Sequence, residues 1–242
     1  MNFTPQNIQN LGFAIIFCLV LIVLFGQAMN SLAGEKGLIL RTEFVKSKTK
    51  FLELIYGKRN EDAKGNNQDE NKSRAEGIKN ALLVDTIGFI PVYFLLFTLM
   101  TWFLAQQQNY WSKYLAAAAA VFAVATVFFD LSENLKVFDV FSVNSPETLT
   151  IAGSAIGKWV CFYVTAAILS AAFWKPHYLT LIIAALLILG SITGLIVLFL
   201  VDDESKHEWM QYPTLMNILG LTVCGLAFIF FSETAEKIFN TK

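Results

Sequence analysis

The sequence predicts an all-α polytopic membrane protein: a bundle of six transmembrane helices, with a cytoplasmic amphipathic helix between the first and the second. Three observations carry this. Of 242 residues, 55% are hydrophobic and 15% charged, with a mean hydropathy of +0.54, whereas a soluble domain has about a quarter of its residues charged. The apolar residues fall into six runs, each near the ~20 residues that cross a hydrocarbon core as a helix. The cationic charge is gathered in one stretch: 11 of the 18 Lys and Arg lie between residues 34 and 80. A net charge of -1 and a pI near 6.1 leave no footprint for nucleic acid. The three cysteines, Cys18, Cys161 and Cys224, sit in separate apolar runs. That pattern predicts buried small hydrophobes rather than a disulfide framework or a zinc site.

Taken in order, Thr4-Pro5 reads as a helix cap followed by a first-turn proline. The first run covers 11–29, within a first transmembrane unit of 1–33. Ser31-Leu32-Ala33 resembles a signal-peptide cleavage site, but the first ten residues carry no Lys or Arg, so a retained helix is expected. Residues 34–80 form a basic cytoplasmic segment. In it Leu40, Phe44, Phe51, Leu52, Ile55 and Tyr56 recur at helical spacing, with Arg41, Lys46, Lys48 and Lys50 between them. The expectation is an amphipathic helix on the anionic inner leaflet; the rival is a helix packed on the other loops. Residues 57–77 are polar and read as a mobile linker.

The remaining runs, 83–104, 114–130, 152–174, 179–201 and 213–231, make a five-helix unit over 81–242. Helical character is expected to continue past Asn134, and Ser145-Pro146-Glu147 reads as the start of the fourth span. Trp102, Trp111, Trp174, Tyr178 and Tyr212 lie at run ends, where aromatic belts belong. Placing 34–80 in the cytoplasm puts 13 Lys and Arg inside against Lys113, Lys175, Lys237 and Lys242 outside, with both termini outside. Gly153-x-x-x-Gly157, Gly190-x-x-x-Gly194 and the alanines 116–120 are candidate close-packing faces. The halves do not match as an inverted repeat.

Ionisable groups inside the spans mark the candidate site. Asp130, Glu133 and Asn134 stand at i, i+3 and i+4, on one helix face. Depth, counted at ~1.5 Å per residue from the aromatic ends, brings Asp85 of the second span and Lys158 of the fourth to a similar level. Three carboxylates against one ammonium leave a surplus of two negative charges. Such charges persist in a membrane by pairing or by facing a polar cavity. One reading is a structural network in which Lys158 pins the third span to the fourth; the other is a cytoplasm-facing site for a proton, a metal cation or a cationic head group. His177 and His207 fall on opposite sides and cannot share a site. His207 with Asp202, Asp203, Glu204 and Glu208 reads as a solvated loop. Thr126, Ser191 and Thr193 are expected to bond back within their own helices.

The pattern Asp85-x-x-x-Phe89-x-x-x-Tyr93, Asp130-x-x-Glu133-Asn134 and a Lys in the next span resembles an uncharacterised family of small bacterial polytopic membrane proteins. The resemblance covers roughly residues 35–170. It implies that Asp85, Tyr93, Asp130, Glu133, Asn134 and Lys158 form the site; it implies no activity, catalytic residue, metal or cofactor.

Three functions follow from these readings. The first is a carrier, channel or sensor that binds a cation or small polar ligand. The second is an accessory or assembly subunit that docks a protein partner or lipid through 34–80. The third is a lipid-modifying enzyme, which lacks a histidine near the cluster. Membrane lipids are expected partners, and self-association is compatible with the small-residue faces.

Overall fold

The computed structural model describes residues 3–34, 37–56, 68–107, 109–141 and 147–240. All its regular elements are helical. Helix α1 (Pro5–Ala33) starts where the Thr4 hydroxyl accepts from the Asn7 N–H and Pro5 supplies the fixed first turn; it ends at Gly34, whose φ of 76° is left-handed. Two short helices follow, α2 (Leu38–Glu43) and α3 (Lys48–Tyr56). Helix α4 (Gln68–Val84) leads through a π turn at Asp85–Phe89 into α5 (Ile90–Gln106). Pro91 explains that turn. It has no N–H, and its ring would crowd the preceding turn of an α-helix. The backbone widens there, so the Ile90 N–H bonds to the Asp85 carbonyl five residues back.

Helix α6 (Tyr110–Val140) runs well past Asn134, as expected. It is followed by α7 (Ile151–Ser170) with a short 3₁₀ extension at Ala171–Phe173, α8 (Tyr178–Leu200), α9 (Asp203–Trp209), α10 (Gln211–Phe230) and α11 (Ser232–Asn240). The start read at Ser145-Pro146 lies outside the described residues; the fourth span itself begins at Ile151. Among the described residues, six helices are long and apolar enough to cross a membrane. This is an integral membrane protein.

The spans form a closed ring. Helix α1 packs on α5, α5 on α6, α6 on α7, α7 on α8, α8 on α10, and α10 back on α1. Closure depends on a close backbone approach: a side chain at Gly12 would meet the Gly225 carbonyl at 2.7 Å. Outward-facing residues such as Phe17, Val121, Phe128, Ile192 and Phe199 are exposed and apolar, so the ring's outer face contacts lipid. Of the predicted close-packing glycines, Gly190 abuts α10, Gly194 abuts the ring of Tyr163, and Gly157 abuts Phe129; Gly153 faces open space.

The segment between the first two spans departs from expectation. Phe44, Phe51 and Ile55 are buried inside the protein rather than turned outward. Phe51 packs edge-on to Phe141, and the stretch 46–48 bonds to 147–149 through Lys48 N–H to Glu147 O (2.8 Å) and Leu149 N–H to Lys46 O (2.9 Å). The Glu147 carboxylate also accepts from the Thr49 N–H, supplying a cap to α3 from a distant loop. The packed-helix rival therefore describes this segment, because its apolar face finds protein before it finds lipid. The linker reading is also corrected in part. Its first portion, 57–67, lies outside the described residues. From Gln68 onward the chain is helical, held by Ile78 and Ala81 buried toward α1 and by Gly77 in contact with the Leu32 carbonyl.

At the other end of the bundle, Phe3, Phe103, Phe173, Phe228 and Phe239 form one aromatic cluster. Helix α11 lies over it, and Asn240 ties the termini by accepting from Phe3 N–H and donating to Phe3 O.

Candidate functional site

The site is built from four elements. Helix α6 carries Asp130, Glu133 and Asn134 on its inner face, all buried. Helix α7 carries Lys158 and Trp159, and the π turn carries Asp85 and Thr86. Helix α2 brings Glu43, a residue the spacing argument did not single out.

Lys158 is the hub. Its Nζ lies 2.9 Å from Glu43 Oε1, 2.9 Å from Glu133 Oε2 and 3.1 Å from Asp130 Oδ1, and all four side chains are at most 9% exposed. The Glu133 contact is coulombic, since the oxygen lies off a good hydrogen-bond direction. Each other partner has a second donor. Trp159 Nε1–H donates to Glu43 Oε2 at 2.8 Å, and the Tyr93 hydroxyl donates to Asp130 Oδ2 at 2.9 Å. Burial raises the Glu43 carboxyl above its ordinary range, against the pull of Lys158.

Asp85 stands apart. Asn134 Nδ2–H donates to its Oδ2 at 2.6 Å and also to the Thr86 hydroxyl at 3.0 Å. Among the described residues Asp85 has no ion pair. The cluster therefore holds four carboxylates and one ammonium, one carboxylate more than the sequence reading counted. The three that converge do so on Lys158 rather than around an open centre, and among the described residues no group of three or more His, Cys, Asp or Glu is arranged to hold a metal.

Beside the cluster, inside the ring, lies a cavity of about 110 Å³, well above the roughly 10–15 Å³ that admits one water. Asp85, Tyr93, Asp130 and Lys158 line it, and so do Phe89, Phe97, Trp159 and Phe162, with aliphatic residues from α1 and α10. Glu133 and Asn134 stand behind this wall. All six sequence-predicted residues thus meet in one assembly, but only Asp85, Tyr93, Asp130 and Lys158 reach the cavity.

Sequence reasoning missed Glu43, Trp159 and the π turn. The first had a faint signal, an acid set among Arg41, Lys46, Lys48 and Lys50; the third had Gly88 and Pro91 inside an apolar run. The secondary candidates resolve as structural. His177 Nδ1 accepts from Leu179 N–H at the start of α8. Thr126, Ser191 and Thr193 donate to carbonyls four residues back, and the cysteines are free and buried. No protein-family model, curated protein or solved structure matches the chain.

Proposed function

We propose that this membrane protein binds a small organic cation in the cavity inside the helix ring, as a carrier or sensor, with Asp85 as the ligand's counter-ion. One observation carries the reading: a buried carboxylate with no cation of its own lines a cavity walled by Phe89, Tyr93, Phe97, Trp159 and Phe162. Aromatic faces attract cations, more strongly where water is excluded. A carboxylate at one end supplies the opposite charge, while the rest of the wall accepts an apolar body. Glu43, Asp130 and Glu133 each lie within 3.1 Å of the shared Lys158 ammonium, whereas Asp85 has no ion pair among the described residues, which leaves it as the anchor.

The distribution of Lys and Arg puts the cluster at the cytoplasmic end, so the ligand is taken from, or reported to, that side. The π turn at Asp85 suits this role, because such turns occur often at functional sites.

A second reading has its own support. The Lys158 hub joins α2, α6 and α7, as expected of a structural network in an accessory subunit. Thermal unfolding of the purified full chain with a panel of amines separates the two. Propylamine and tetramethylammonium raise the melting temperature of the wild type if the cavity is a site. No shift with any amine leaves the accessory reading standing.

A further inference from the structure

We infer that the ligand carries a second polar group, a hydroxyl or amide, which hydrogen-bonds Asn217 on α10; its class is then a small amino alcohol or amino amide rather than a plain alkylammonium. This rests on the cavity being a cation site and specifies what else enters it.

Asn217 is 1% exposed and lines the cavity to which Asp85 also belongs. Among the described residues neither its Nδ2 nor its Oδ1 has a hydrogen-bond partner. Buried amides are almost always satisfied, and one that is not signals a missing partner. The hydroxyl-bearing residues on the wall differ. Thr126 donates to Phe122 O at 2.8 Å; Thr214 donates to Met210 O at 2.8 Å and meets the Tyr163 hydroxyl at 3.1 Å. Tyr93 donates to Asp130. Asn217 alone among them keeps both donor and acceptor capacity unused.

The surroundings hold it there. A Cβ at Gly190 would meet Asn217 Oδ1 and the Pro213 carbonyl, each at 2.9 Å, so α8 presses directly against the amide. That leaves the Nδ2 edge of the amide for the ligand, and a ligand hydroxyl or amide carbonyl can accept from it. The two polar features of the cavity are then complementary to one molecule: an ammonium at Asp85, a short apolar body along the aromatic wall, and a hydrogen-bonding group at Asn217. A site that leaves its own polar group unpaired discriminates against the analogue lacking the partner.

Calorimetric titration of the full chain in lipid nanodiscs with ethanolamine and propylamine, which differ by one hydroxyl for methyl, tests this. The wild type is expected to prefer ethanolamine by about tenfold or more. Asn217→Leu is expected to abolish the preference while retaining propylamine binding, and Asn217→Ala gives the same reading should the leucine variant not fold. Equal affinities in the wild type, or a preference that survives both substitutions, overturns the assignment of Asn217 but leaves the cation site intact. Binding of neither amine to the wild type overturns the cation site and this inference with it.

Discussion

Lys158 on α7 and Glu43 on α2 are 115 residues apart in sequence and meet at 2.9 Å in the interior of the protein. The contact draws the segment between the first two spans into the polar core of the bundle. Among the described residues it also makes Lys158 the sole cation among four buried carboxylates.

Lys158→Met is therefore expected to destabilise the protein strongly, by about 3–5 kcal/mol, because it strands buried carboxylates without their partner. Neutralising Glu43→Gln, Asp130→Asn and Glu133→Gln together in that background should recover most of the loss. Reversible unfolding in mixed micelles measures both. A single Lys158→Met variant as stable as wild type would contradict the hub.

Gly194 and Gly153 should behave differently. A side chain at Gly194 would run into the ring of Tyr163, which is fully buried and tied to Thr214. Gly194→Ala is expected to cost about 1–3 kcal/mol through overpacking. At Gly153 nothing lies within 4 Å. Gly153→Ala should be neutral or stabilising by up to about 1 kcal/mol, the ordinary helix-propensity gain. Melting temperatures of the two variants compare them directly.

Asp203 gives a pH signature. The Lys206 hydrogen bond, followed by that of Lys46, holds its carboxyl below the usual 3.8. A lowered carboxyl contributes stability above its unfolded value and loses it as pH falls through the folded one. Asp203→Asn should thus be less stable than wild type near neutral pH, and the difference should begin to shrink near pH 3.8 and vanish only below the lowered folded value. The pair is partly exposed, so the effect is about 0–1 kcal/mol. Paired melting curves across that range, at low salt, read it out.

The spans were legible because each apolar run carries its own signal, and Asp130, Glu133 and Asn134 because helical spacing alone sets their shared face. That face is broader than the spacing suggests. Asp130 and Glu133 lean toward Lys158, while Asn134, one position further round, reaches across to Asp85 and Thr86. Glu43 could not be placed from sequence, since its position depends on α2 folding back onto α7. The amphipathic stretch was visible, but a hydrophobic stripe does not say whether lipid or protein covers it; Phe51 and Ile55 are covered by protein. Ring closure at Gly12 and Gly225 joins the first span to the last, a pairing that no local pattern encodes.

The most direct test of the central claim is calorimetric binding of propylamine to wild type, Asp85→Asn and Glu133→Gln. Asp85 lines the cavity, whereas Glu133 stands behind it, held against Lys158. Saturable binding is expected to wild type and to Glu133→Gln, and none to Asp85→Asn with its fold intact. Unchanged affinity in Asp85→Asn would contradict the claim.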